Sequence, residues 1–178
     1  MKLFLDTEFT GLKTNAQLIS IGIVAEDGSE FYAEFNDYET PTQWVVDNVL
    51  PLLLDQNYMY LARHNEKVIF DKDRDDIKYC LQIWLSQWDI CEFVGDTLFI
   101  DWLLFLDLFE WQLPQNVYYL PLDITTMFWV CGIDPDITRV DFVGLDLHEY
   151  KHNALFDAQV IQKCFNKLME MKINGNTE

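Results

Sequence analysis

Apolar residues along this chain first alternate with polar ones and later recur at helical spacing, and that change of period predicts strands followed by mixed helices and strands. Leu3 to Glu8 reads as a strand. A Thr10-Gly11 turn separates it from a second apolar run, Gln17 to Ala25, which carries Ile19, Ile21, Ile23 and Val24. Asp27-Gly28 then marks a hairpin before the alternating segment Glu30 to Phe35, so these three segments predict an antiparallel meander. Beyond Pro41, Gln43 to Leu50 predicts a short helix stopped by Pro51, and the polar stretch Asn57 to Lys67 predicts a loop. Ile77, Leu81, Trp84, Leu85 and Trp88 recur about every 3.6 residues and predict an amphipathic helix over Asp73 to Trp88, followed by a short strand, Glu92 to Val94.

Further on, Asp101 to Trp111 is apolar nearly all round, the pattern of a helix buried against a sheet. Tyr118 to Leu122 predicts another strand. Asp123 caps a predicted helix that runs to Cys131 and ends at Gly132, and Pro135 to Leu147 predicts an irregular connection with solvated aspartates. The last helix, Ala154 to Met171, has Asn153 as its cap and an inward stripe of Ala154, Ala158, Ile161, Phe165 and Leu168, with Lys163, Lys167 and Lys172 toward the negative end of its dipole. Asn174 to Glu178 predicts a frayed tail. A meander followed by alternating helices and strands predicts an α/β fold, a mixed sheet flanked by helices, in one domain over residues 1–173.

With 178 residues, half of them apolar, the chain can fill one core. No charged leader pattern precedes the first strand, and the densest apolar stretch, Phe99 to Leu113, is interrupted by Asp101, Asp107 and Glu110. That falls short of the roughly 20 apolar residues of a membrane span, so a cytoplasmic protein without a membrane partner is expected. Cys80, Cys91, Cys131 and Cys164 stand apart with no CxxC pair, the pattern of reduced thiols, which argues against structural zinc. Thirty acidic against 12 basic residues give a net charge of -18. This argues against the broad basic groove of a non-specific nucleic-acid binder.

Asp6 and Glu8 lie two apart in a strand, so both carboxylates leave one face and can share a divalent cation. Spacing alone is weak evidence, because 19 aspartates and 11 glutamates in 178 residues produce an Asp-x-Glu pair about once by chance. Asp37 and Glu39 repeat the spacing and read as surface. The first pair differs in following Leu3, Phe4 and Leu5 with no basic neighbour, an electrostatic cost that a metal would relieve. His152 and Asp157 bracket the start of the last helix, histidine in the loop and aspartate in the first turn. His64 and His148 read as ordinary surface histidines.

Three segments in order, LDTEFTGL at Leu5 to Leu12, FVGDTLFID at Phe93 to Asp101 and HNALFDA at His152 to Ala158, resemble the exonuclease motifs of the DnaQ-like superfamily, in its DEDDh branch. SIGIVAEDG at Ser20 to Gly28 and WVVDNVLPLL at Trp44 to Leu53 further resemble small single-domain bacterial and phage 3′-5′ exoribonucleases. The resemblance implies an RNase H-like sheet and a metal-dependent 3′-5′ exonuclease. It implies that Asp6, Glu8 and Asp157 ligate one Mg²⁺ or Mn²⁺ ion, that Asp6 also reaches a second, and that Asp101 contacts the second mainly through water. His152 would be the general base, and Thr10, Gly11 and Leu12 would approach the terminal nucleotide, with Phe9 either beside it or in the core. The partner would be a single-stranded RNA or DNA 3′ end and the product a nucleoside 5′-monophosphate. Two such cations would offset only four of the 18 net negative charges, so short-range phosphate contacts and stacking would have to supply affinity.

The second motif departs from many relatives, which have His-Asn where this chain has Asp96-Thr97. Asp96 thereby competes with Asp101 for the metal role, and the interval of six from Gly95 favours Asp101, leaving Asp107 as a core-edge or surface acid. Two alternatives stay open: an exodeoxyribonuclease, or a catalytically silent nucleic-acid or protein interaction module on the same fold. The aromatic content of 15% leaves room for a homodimer.

Overall fold

The computed structural model describes residues 1–53, 67–145 and 151–175. Its centre is a six-stranded sheet in the order β4-β3-β2-β1-β5-β6. Strands β1 (Lys2–Phe9), β2 (Leu18–Ala25) and β3 (Glu30–Phe35) form the antiparallel meander, with Leu5 opposite Ile23 and Asp6 opposite Gly22. β4 (Lys67–Lys72) joins β3 in parallel, and β5 (Glu92–Gly95) and the two-residue β6 (Leu122–Asp123) extend the other edge in parallel from β1. This is the mixed α/β sheet that the residue pattern predicts, with the RNase H-like arrangement that the resemblance implies.

Alternation along β1 sends its residues to two cores. Leu3 and Leu5 join Ile77, Leu81 and Leu85 of α2 (Arg74–Leu85) and Leu104, Phe105 and Leu108 of α3 (Phe99–Leu108). Phe4 faces the other way, 5.5 Å from the ring of Phe165 in α6 (Ala154–Gly175). With it pack Ile124 and Phe128 of α4 (Ile124–Val130) and Val140 and Phe142 of α5 (Arg139–Val143). All five residues of the predicted inward stripe of α6 are buried in this layer or against it. Asp6 and Glu8, in phase with Phe4, continue its face beyond the point where apolar packing ends.

Several expectations change in detail. α1 spans Gln43–Asn48, and Pro51 does not stop the helix but starts a separate 3₁₀ turn, Leu50–Leu52. Lys67, expected to end a loop, opens β4, whose partner β3 is remote in sequence; the expected loop itself lies outside the described residues between 57 and 66. α3 starts at Phe99 and ends at Leu108, where Glu110 and Trp111 turn left-handed (φ 52° and 62°). Nor is it buried all round, since Phe99 and Leu103 face solvent. No strand forms over Tyr118 to Leu122: Tyr118, Tyr119 and Leu120 are exposed, Val117 makes only a bridge to Cys91, and β6 begins at Leu122. The connection from Pro135 contains α5, anchored by buried Val140 and Phe142 and ended by Gly144 at φ 75°, although Asp136 and Asp141 are exposed as expected, Asp146 lying outside the described residues. α6 continues past Met171 to Gly175.

Four free thiols match the expectation for cysteine, and burial pushes Cys91 up to about 11 and Cys164 up to about 12, which favours the protonated thiol. Among the described residues no helix is long and apolar enough to cross a membrane.

The landing of α6 on the sheet depends on Gly22. A Cβ there would lie 2.3 Å from the carbonyl carbon and oxygen of Ala154 and 2.4 Å from the amide nitrogen of Leu155, so the first turn of α6 rests on bare backbone directly beside Asp6. Gly22→Ala must push that turn away. It is expected to cost about 1–3 kcal/mol, seen as a lowered urea midpoint at unchanged slope; a wild-type midpoint would contradict this contact.

Candidate active site

One cleft of about 900 Å³ opens where β1, the start of α3 and the start of α6 meet. Asp6, Glu8, Asp101, His152 and Asp157 all line it. Each arrives by a different local device. Strand alternation brings Asp6 and Glu8 to one face. Asp101 enters from the edge: β5 pairs with β1 only as far as Phe4, which leaves the amide of Thr7 without a strand partner. Asp101, in the first turn of α3, accepts that N–H at 3.1 Å and the Thr7 hydroxyl at 2.5 Å. These bonds tie the helix to the strand across 94 residues of chain.

Asp157 comes from the first turn of α6 and is gripped by its own loop. His152 adopts φ 73°, which aims its backbone N–H at Asp157 Oδ2 at 2.7 Å. Next to it, buried Asn153 caps the helix by accepting the Phe156 N–H at 3.1 Å and donates from Nδ2 to the Leu52 carbonyl at 2.8 Å. The imidazole of His152 meets the Trp44 ring edge-on, centroids 5.0 Å apart. Glu8, His152 and Asp157 each offer a ligand atom within 4.8 Å of the others, a spacing that suits one metal ion.

No basic group is paired with Asp6, Glu8, Asp101 or Asp157 among the described residues, and burial is the main influence on all four. Asp6 is held well above the usual carboxylate range by burial, then by the charges of Asp157, Asp101, Glu8 and Asp96. Burial, with Asp157 and Asp101, pushes Glu8 up to about 8. Burial likewise raises Asp101 and Asp157 to about 6, against the stabilising donors from Thr7 and His152. Four carboxyls that cannot all ionise together are a hard-oxygen donor set for a divalent cation. For His152 burial, then neighbouring Lys151, lowers the pKa and favours the neutral ring.

The residues flanking the acids form the walls. Gly11 and Leu12 line the cleft, Leu12 with 80% of its surface exposed, and so does Trp44 at 55%. Thr10 does not line it: fully buried, its hydroxyl accepts the Gln17 N–H, its amide donates to the Gln17 carbonyl, and its carbonyl accepts from Thr42. It holds the turn that presents its two successors. Phe9 both borders the cleft and packs against the α2–α3 core. Asp107 is a surface acid, 3.5 Å from Arg74, which also approaches Asp37 at 3.4 Å. His64 and His148 lie outside the described residues.

Asp96 also lines the cleft, but both its oxygens are engaged. Oδ2 accepts from Nε of Arg139 at 2.7 Å, and Oδ1 accepts from Nη2 of Arg139 at 2.8 Å and from the Thr125 hydroxyl at 2.6 Å. A bidentate guanidinium partner and the Thr125 hydroxyl thus occupy both oxygens of Asp96 and fix it in the cleft wall. Arg139, Trp44 and Lys151 are cleft residues that the sequence pattern did not single out. Arg139 was concealed because its segment reads as irregular, and the only signal for Trp44 is its place in the exoribonuclease-like segment.

No family model matches the chain. Over 55 residues it is 47% identical to two proteins named 3′-5′ exoribonucleases, from Mycobacterium tuberculosis strains CDC 1551 / Oshkosh and H37Rv. The matched stretch is 30% of this chain and 33% of each relative, so the chain spans about a third of the length of those relatives. Among solved structures it is similar to the Neurospora crassa Pan2 catalytic unit, which comprises a protease and a nuclease domain, with a TM-score of 0.56 and 19% identity over 98% of this chain and 28% of that one. This likeness shows a shared fold.

Raised carboxyl pKa values fix the sign of a pH dependence. Between about pH 4, where carboxyls titrate in an unfolded chain, and about 6 to 8, where these titrate in the fold, the folded state holds more protons. Stability of the chelator-treated protein is therefore full below about pH 4 and falls as pH rises to about 8. Thermal unfolding in EDTA checks this, and Mn²⁺ is expected to raise the melting temperature more at pH 8 than at pH 5; a metal-free protein that gains stability across that range would contradict the acid cluster.

Proposed function

We propose that this chain is a metal-dependent 3′-5′ exonuclease of the DEDDh type, acting as an exoribonuclease that releases nucleoside 5′-monophosphates from single-stranded or short 3′ ends. The observation that carries the reading is the convergence of Asp6, Glu8, Asp101, His152 and Asp157, drawn from three separated segments, on one cleft. The choice of RNA is supported by the names of the partial relatives.

The donor set fits the cations this chemistry uses. Glu8, Asp157 and Asp6 would hold one, with Asp6 shared with a second that Asp101 reaches through water. Bound there, Mg²⁺ or Mn²⁺ supplies Lewis-acid polarisation of the scissile phosphate and offsets charge on the leaving 3′ oxygen. The chain does the remaining work. A neutral His152 accepts a proton from the attacking water at a ring nitrogen, its left-handed backbone and the edge of Trp44 fixing where that ring points. Thr7 holds Asp101, and the His152 amide holds Asp157, so neither acid needs to reorganise when it ionises. Leu12 and Trp44, apolar and exposed on the rim, offer surface to the terminal base and sugar.

The test is hydrolysis of 3′-labelled single-stranded RNA beside a DNA oligomer of the same sequence, with Mn²⁺. Mononucleotide release from RNA is expected, abolished by Asp6→Ala or Asp157→Ala and slowed roughly 10²- to 10⁴-fold by His152→Ala. Faster release from DNA would move the substrate assignment to an exodeoxyribonuclease. No release, with no Mn²⁺ uptake by calorimetry, would leave the silent interaction module.

A further inference from the structure

A cleft that accepts a polyanion in a chain of net charge -18 needs a local cation, and the structure narrows the choice. Among the described residues, three basic side chains line the cleft: Arg139, Lys151 and His152. A guanidinium has five N–H donors in a fixed fork. In Arg139 all five are engaged. Nε and one Nη2 hydrogen go to Asp96, the other Nη2 hydrogen goes to Thr125 Oγ1 at 2.9 Å, and Nη1 serves the carbonyls of Pro135 at 2.8 Å and Ile137 at 2.7 Å. Its face also lies 4.5 Å from the centre of the Phe128 ring, and Asp96 matches its charge. Arg139 thus builds the wall and has no donor to give a ligand, while His152 is assigned to proton transfer.

Lys151 remains. It is exposed on the rim, next in sequence to His152, and forms no ion pair among the described residues. We infer that Lys151 is a substrate-binding residue that holds a backbone phosphate of the nucleic-acid strand beside His152. The inference rests on the nuclease reading above. A compact ammonium on a flexible stem suits a strand that shortens by one nucleotide per turnover, because it can follow a phosphate without imposing the bidentate register of an arginine.

Binding of a 5′-fluorescein-labelled RNA oligomer, read by anisotropy with Ca²⁺ in place of Mn²⁺, and steady-state hydrolysis with Mn²⁺ test this together. For Lys151→Gln, Kd and KM should rise about tenfold, as for loss of one charge-assisted phosphate contact, with kcat within about twofold. The slope of log Kd against log salt should fall by about 0.7, one counterion on a single strand, and Lys151→Arg should recover most of the affinity. A wild type that neither binds nor cleaves would sink the nuclease reading and this inference with it. An active wild type whose Lys151→Gln variant keeps its Kd, KM and salt slope would sink the inference alone. So would a variant in which only kcat falls.

Discussion

Mutual repulsion among four carboxyls packed around β1 is the constraint to which the rest of this structure answers. A single ionised carboxylate leaving water for an apolar surrounding without a partner costs several kcal/mol, and neighbours of the same sign add to that. Here the near charges on Asp6 are acids, Lys151 offsets only part of the effect on Asp157, and among the described residues the arginine lining the cleft is spent on Asp96. Such a cluster either retains protons or gathers cations. The fold does nothing to spread the acids apart and uses several devices to hold them together.

Those devices are modest individually. Gly22 removes a side chain so that α6 can land beside Asp6, and Thr7 uses an amide left free by the short β5 to catch Asp101. His152 takes up a left-handed backbone conformation, and its amide then fixes Asp157. Left-handed backbone at a non-glycine residue costs about 1–2 kcal/mol, an expense borne at the site and offset by the packing of the long helix that follows. The same logic places the positive end of the α6 dipole toward the acids, where partial positive charge is most useful.

Much of this was legible in the residues. The period-2 and period-3.6 patterns located the meander, α2 and the inward stripe of α6, because each of these buries one continuous face. The strand pair Asp6 and Glu8 was readable for the same reason, and the positions of Asp101 and Asp157 followed from motif order. What escaped depended on partners remote in sequence. β4 is a strand because β3 accepts it in parallel, Tyr118 to Leu120 is not one because its pairing stops at the bridge beside Cys91, and α5 exists because Val140 and Phe142 find Phe128 and α6. Spacing favoured Asp101 over Asp96 but gave no partner for Asp96. The approach of Arg139, 43 residues away, separates its role from that of Asp101.

An acidic protein with an acidic cleft has little long-range attraction for a polyanion, so on the proposed reading recognition would be short-ranged, through cations among the carboxylates, apolar surface from Leu12 and Trp44, and a local ammonium. The proposed activity depends on the acids binding metal. Crystals soaked in Mn²⁺ and a nucleoside 5′-monophosphate, with anomalous scattering recorded at the manganese edge, test that most directly. The account predicts two anomalous peaks in the cleft, one touching Glu8 and Asp157 and both touching Asp6. A map with no manganese among these carboxylates, or with manganese held by Asp96 after displacement of Arg139, would contradict it.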